Sequence, residues 1–273
     1  MGKAQRKQTS RTMAELADRH ELYEESVQDV EVEVDFLLDT FSELRGRIPQ
    51  VFREDFCGTA SACCEWVRRG SDRRAVGVDL DPEVLSWGRE NRLSHLTHDE
   101  RDRVTLIEDD VRTANTGVVD LVGAFNFSYF IFDTRDEMRR YFERCRECLA
   151  DDGILFLDAF GGSETMDVVK EETEHDEFTY VWHQAEYHPV TGYMKCHIHF
   201  KFPDGSKMKK AFSYEWRLWT LPEIRELLFE AGFSTATVYW EGEDEDGEGN
   251  GEFTPESEGD PDPAWIVYIV AQK

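Results

Sequence analysis

Glu54, Phe56, Gly58 and Ala60 stand in FREDFCGTASACC (52–64), where a chain leaving a strand can turn around a bound nucleoside. Asp-x-Gly-x-Gly-x-Gly is the expected pattern for that turn, and Gly58 is the one glycine of it that remains. Asp79, in AVGVDLDPEVL (75–85), ends a second strand-like run, where a carboxylate can accept both hydroxyls of a ribose diol. Asp109-Asp110-Val111 ends a third and offers an acceptor for an exocyclic amine beside an apolar wall for a base. Asn126 ends a fourth. Each feature alone has a plainer reading, since an Asp after a strand often caps the next helix. Four strand ends that converge on one crevice point instead to a nucleoside site at the C-terminal edge of a parallel sheet.

The elements that must carry these residues alternate along the chain. Apolar residues recurring at three and four predict a helical segment over 13–44. Strands are expected at 50–56, 74–80, 103–109, 118–127 and 153–160, with helices at 60–70, 82–93 and 135–149. The run VVDLVGAFNF (118–127) is nearly all apolar, as a strand buried on both faces should be. After Gly161-Gly162 the rhythm changes. Three aromatic and β-branched runs in 178–219, separated by turn signals, predict an antiparallel meander. The α/β pattern resumes with a helix at 221–232, a strand at 235–241 and a last strand, AWIVYIVAQ. Between those strands, 241–262 holds eleven carboxylates and no Lys or Arg, and reads as a solvated loop. The expected organisation is a disordered basic start (1–12), an N-terminal helical cover (13–49), an α/β core (50–162 and 220–273) and an antiparallel β insertion (163–219).

Composition narrows the function. With 31 Lys and Arg against 58 Asp and Glu, the net charge of −27 opposes a phosphate backbone and excludes nucleic acid as the expected partner. No apolar run approaches a membrane span, and the first dozen residues have no apolar core of a secretory signal. A cytoplasmic location is expected, with the six cysteines reduced and buried. Cys145 and Cys148 form one C-x-x-C without the second pair that zinc would want, and His197 and His199 share a strand face without a third ligand in view, so no metal is expected. Composition carries no signal for oligomeric state.

The series of strand, CGT loop, helix, VGVDLDPEVL and GILFLDAF resembles the class I S-adenosylmethionine-dependent methyltransferase superfamily, over about 50–160 and 221–273. That resemblance implies a Rossmann-like seven-stranded sheet and S-adenosyl-L-methionine as cofactor. It implies that Glu54, Cys57 and Gly58 contact the aminoacyl end, Asp79 the ribose, and Leu80, Asp109, Asp110 and Val111 the adenine. Asn126 would lie beside the sulfonium, and the helical segment around Tyr23 and Gln28 would fold over the cofactor. Phe56 and Ala60 depart from the family's glycines, and Phe56 is expected to wall the site or narrow it. A dinucleotide could also use Asp79, but its pyrophosphate wants G-x-G-x-x-G, which FCGTASA lacks.

Methyl transfer from a sulfonium needs alignment and exclusion of water more than a catalytic triad. NFSY (126–129) stands where amine-specific members carry Asn/Asp-Pro-Pro-Tyr, which makes Asn126 and Tyr129 acceptor-side candidates. Tyr214 and Arg217, in the meander, are expected to meet a small-molecule acceptor with an N, O or S nucleophile. Two other readings fit the same residues: a protein side chain as acceptor, or a module that binds cofactor or a partner protein without turnover.

Overall fold

The computed structural model describes residues 11–27, 29–243 and 249–273; Gln28, most of the basic start (1–10) and residues 244–248 of the acidic segment lie outside them. The N-terminal cover is three helices, α1 (Met13–Leu16), α2 (Arg19–Val27) and α3 (Val30–Arg45). Asp29 caps α3 by accepting from Val32 N–H, and Gly46 closes it at φ 65°, a conformation that favours glycine.

The alternating part follows as β1 (Val51–Asp55), α4 (Ser61–Arg68), β2 (Arg74–Asp79), α5 (Pro82–Asn91), α6 (His98–Arg101), β3 (Val104–Glu108), β4 (Val119–Ala124), α7 (Arg135–Cys148) and β5 (Leu149–Gly161). A second sheet is built from β6 (Val169–Glu174), β7 (Thr179–His188), β8 (Tyr193–Lys201) and β9 (Lys207–Arg217). Then come α8 (Leu221–Glu230), β10 (Thr235–Glu243), β11 (Gly249–Glu256) and β12 (Trp265–Gln272).

The large sheet runs β11-β10-β12-β5-β4-β1-β2-β3, with β1 to β5 parallel and β12 antiparallel to β5. Strand order reverses where β1 pairs both β2 and β4, which opens a crevice at their C-terminal ends. The seven expected strands are all present. The eighth, β11, comes from the acidic segment read as a loop. Phe253 anchors it by packing on Tyr268 (ring centroids 4.6 Å apart) and Phe36, while its carboxylates stay in solvent. The insertion likewise gains a fourth strand, β6, whose VKEETE shows no apolar alternation because it is an exposed edge.

Two apolar layers cover the large sheet, one under α3 and α4 around Phe41 and Trp66, the other under α7 and α8 around Phe142 and Leu227. A third cluster joins Leu22 of α2 to Phe178, Ile198 and Phe200 of the second sheet, so the cover bridges both sheets. All six cysteines are free and buried. Inside β1, Arg53 and Asp55 form a fully buried ion pair at 2.6 Å. Arg53 also donates to the Val111 carbonyl at 2.6 Å, and the Tyr141 hydroxyl donates to Asp55 at 3.1 Å. This pair ties β1 to the loop after β3. Among the described residues, no helix is long and apolar enough to cross a membrane.

Candidate active site

The loop after β1 keeps a glycine-rich path with little glycine. Phe56 (φ 58°), Gly58 (φ 51°) and Ala60 (φ 62°) all lie in the left-handed region, at the three positions where the pattern wants Gly. For a residue with a Cβ this costs about 1–2 kcal/mol. Packing offsets it: the Phe56 ring lies against Phe132 and Tyr141, and Ala60 is fully buried. Phe56 is therefore a wall of the loop held from below. Ala60 precedes α4 and has no side chain to cap it; Glu54 instead reaches from β1 to accept the Cys63 N–H at 3.1 Å.

Asp79 ends β2 and accepts from Gly58 N–H (2.8 Å) and Asp81 N–H (2.9 Å). The carboxylate thus fixes the β1–α4 loop and keeps lone pairs for a ligand. Leu80 beside it is 63% exposed, an apolar side chain without a partner in the protein core. Asp81 caps α5 by accepting from Glu83 and Val84. After β3, Asp109 accepts from Asp110 N–H, and Asp110 is gripped by the guanidinium of Arg112 (2.6 Å). The Val111 side chain is buried, and among the described residues its amide has no acceptor.

At the end of β4, Asn126 (φ 55°) and Phe127 (φ 57°) are successive left-handed residues. Both N–H groups consequently aim at Asp158 of β5, donating to its carboxylate at 2.5 and 2.9 Å. Burial pushes Asp158 and Glu54 up to about 7, and raises Asp79 as well. Glu33 of α3 faces Asp158 and Glu54 and is raised by burial and by their charge. None of these four carboxylates pairs with Lys or Arg among the described residues.

A cavity of about 540 Å³ opens next to this crevice. Asn126, Phe127 and Phe160 form its floor, and Tyr180, Trp182, Tyr214 and Trp216 of the second sheet form its roof. Tyr214 stacks on Trp216 with centroids 4.5 Å apart. Tyr23 of α2 closes one side, its hydroxyl facing that of Tyr214; burial raises both phenols, so they stay protonated. Glu164, Glu171 and Glu241 line the cavity among the rings. The cover is pinned to the loop after β1 and to the end of α5 by Glu24, which accepts from Thr59 (2.5 Å), Ser61 (2.6 Å) and Arg92 (2.6 Å).

Of the acceptor-side expectations, Asn126 and Tyr214 line the cavity, whereas Tyr129 and Arg217 do not and are corrected. Tyr129 is fully buried and donates its hydroxyl to the Asp158 carbonyl at 2.7 Å, a core aromatic. Arg217 lies over Trp219 (3.7 Å to the ring centroid) and pairs with Glu223 at 2.8 Å. On β9 it follows Trp216, and the pleat turns it the other way. Sequence reading missed Asp158, though it is the single charge in the apolar run GILFLDAF. It also missed Glu33 and Glu24, whose helical spacing gives no sign of which face meets the site.

Residues 55–157 match the family described as Methyltransferase domain. No curated protein matches the chain. Among solved structures, it is similar to an S-adenosylmethionine-dependent methyltransferase of Clostridium acetobutylicum, with 16% identity, 93% of this chain and 96% of that one covered, and a TM-score of 0.69. It is also similar to the S-adenosylmethionine-bound amino pentose methyltransferase CalS10 of Micromonospora echinaspora, with 17% identity, 93% and 95% covered, and a TM-score of 0.65. The sugar N-methyltransferase KedS8 of a Streptoalloteichus species gives 16% identity, 100% and 99% covered, and a TM-score of 0.61. At these identities the structures establish the fold, and the domain match covers the α/β part from the end of β1 into β5. Residues 55–157 thus match a methyltransferase domain, on a fold shared with solved S-adenosylmethionine-dependent methyltransferases.

Proposed function

We propose that this protein is an S-adenosyl-L-methionine-dependent methyltransferase of a small molecule, and that the acceptor nucleophile is an amine. The observation that carries the proposal is the cavity between Asn126 and the aromatic roof, lined by Glu164, Glu171 and Glu241. Aromatic faces and carboxylates together favour a cationic or basic group. The solved relatives include an amino pentose methyltransferase and a sugar N-methyltransferase, which agrees with this acceptor class. Six free thiols fit a reducing compartment such as the cytoplasm.

The residues present fit the cofactor by charge. Bound S-adenosylmethionine supplies an electrophilic methyl on a sulfonium, and its net charge is positive. Glu54, Asp79 and Asp158, none paired with a cation, suit such a ligand and would repel a pyrophosphate. Asp79 would accept the ribose hydroxyls, with Leu80 and the unpaired Val111 amide toward adenine and Glu54, Cys57 and Gly58 toward the aminoacyl end. Asp109 would steady that edge through Asp110, whose grip by Arg112 leaves it fewer lone pairs for an adenine amine.

The Asn126 side chain, free of hydrogen bonds among the described residues, is available to accept from the acceptor's N–H. Tyr23, Tyr214 and Trp216 exclude water and orient the nucleophile, the effect this chemistry depends on most. An acceptor that arrives as an ammonium must lose a proton, and a cavity carboxylate or water can take it. The test is incubation of metabolite pools with methyl-labelled cofactor, followed by mass analysis. Label on an amine supports the proposal; label only on hydroxyl or thiol products, or on protein, refutes it.

A further inference from the structure

The outer face of the second sheet gathers the lysines of this acidic chain. Lys170, Lys195, Lys201, Lys207, Lys209 and Lys210 surround a depression of about 590 Å³, and the other lysines of the sequence are Lys3, Lys7 and Lys273. Lys195 and Lys201 pair with Glu215 and Glu172 at 2.7 and 2.5 Å. Lys170, Lys207, Lys209 and Lys210 make no ion pair among the described residues. Glu172 and Glu186 also line the depression and leave its lining net positive; like charges gathered there raise one another's energy, and a bound counter-charge relieves it. The chain as a whole, at a net charge of −27, repels anions, so this basic face stands out against it.

The floor of the depression is His183, His197 and His199, with ring centroids 5.4 to 6.0 Å apart. Lys210, left-handed at φ 52° beside a register shift between β8 and β9, donates its N–H to His199 Nδ1 at 3.0 Å. His199 therefore carries its proton on Nε2 and donates it to His183 Nδ1 at 3.3 Å. His183 is left with Nε2–H as an unused donor. Burial and the neighbouring lysines lower all three imidazoles, His199 to about 4, so the floor is neutral. Three clustered histidines suggest a metal, but the His199 nitrogens are committed, one accepting from backbone and one donating to His183. Ammonium groups around the rim would also repel a cation.

We propose that this face binds a small anion bearing a diphosphate group. The unpaired ammoniums and the His183 N–H offer more donors than a single carboxylate can use, and diphosphate oxygens can accept them. The site lies on the reverse of the cavity roof: His183 adjoins Trp182, and Ser213, bonded to His197 at 2.8 Å, adjoins Tyr214. It therefore leaves the cofactor crevice untouched.

The test is calorimetric titration of the full chain with inorganic pyrophosphate at low salt, and separately with a nucleoside diphosphate. Saturable one-to-one binding tighter than about 1 mM is expected, weakening as salt is added. Stronger binding of the nucleoside diphosphate would assign the group to a nucleotide, and equal binding to the diphosphate alone. The triple change Lys207→Gln, Lys209→Gln, Lys210→Gln should weaken binding at least about tenfold, as loss of charge-assisted bonds does, with S-adenosylhomocysteine affinity unchanged. Lys273→Gln should change neither. No saturable heat with either ligand, or full binding by the triple variant, overturns the proposal. So does stoichiometric zinc uptake at the histidines. Self-association abolished by the triple change, without pyrophosphate binding, also overturns it and assigns the face to an acidic segment of a second copy.

Discussion

Asp79 holds Gly58: its Oδ2 accepts the Gly58 N–H at 2.8 Å, while its Oδ1 accepts from Asp81. The residue expected to bind ribose is thus also the clasp of the loop after β1. Asp79→Asn should weaken S-adenosylhomocysteine binding at least about tenfold, since each charge-assisted bond contributes about 1.5–3 kcal/mol. Asp81→Ala should cost about 1 kcal/mol of stability through loss of the α5 cap, with affinity nearly intact. Calorimetry and thermal melting on both variants check this, and equal losses of affinity would count against the assignment.

Glu54 and Asp158 make a pH-dependent pair of expectations. Burial raises both to about 7, above the ordinary 4.5 and 3.8, so the unliganded fold holds protons that the unfolded chain has released. Their contribution to stability is complete below about pH 4 and is lost as pH rises toward 7. A tenfold gain in proton affinity on folding corresponds to about 1.4 kcal/mol. Melting of the unliganded protein should therefore decline across that window, within the trend set by its other groups. Affinity for the cationic cofactor should rise over the same range as the carboxylates ionise. Glu54→Gln should flatten both profiles; unchanged profiles would remove Glu54 from the site.

The buried Arg53–Asp55 pair predicts a large and asymmetric mutational effect. Arg53→Met leaves buried Asp55 without its cation, with only the Tyr141 and Cys145 side-chain bonds remaining, which should cost about 3–5 kcal/mol. Arg53→Met with Asp55→Leu should recover a substantial part, because the burial penalty goes with the charges. Urea unfolding of the two variants measures the difference.

Tyr214 and Arg217 separate the roof from its frame. Tyr214→Ala opens the cavity and should raise the acceptor KM or lower kcat, with S-adenosylhomocysteine affinity within about threefold, as expected where no cofactor bond is lost. Arg217→Ala should leave turnover alone and cost about 1 kcal/mol, the value of a half-exposed ion pair with its ring contact. Steady-state kinetics beside melting curves decide it.

The parallel core was legible because buried strands such as VVDLVGAFNF are continuous apolar runs and because Pro82 and Pro222 mark helix starts. The tight turn after β1 was legible in spite of its missing glycines, and Phe56 and Ala60 make it with the left-handed backbone that glycine would favour. Edge strands were not: β6 and β11 bury too little to leave a period-two trace. Arg217 misled because alternation along AFSYEWRLW does not say which face meets the cavity. Asp158 needed the fold, since only the paired left-handed residues at the end of β4 show what its charge is for.

The carboxylate-rich β11 has a consequence for solubility. Among the described residues it is the last strand of the sheet, and a sheet edge is the geometry from which sheets of separate molecules join and fibres grow. Its sequence, GNGEFTPE, puts two glycines, two glutamates and a proline along that rim, and Pro255 has no N–H to offer an incoming strand. Glu252 and Glu256 would also bring like charge onto a second copy paired there, and like charges directly opposite disfavour pairing. The acid that makes this segment look like a loop thus ends the sheet where it stands.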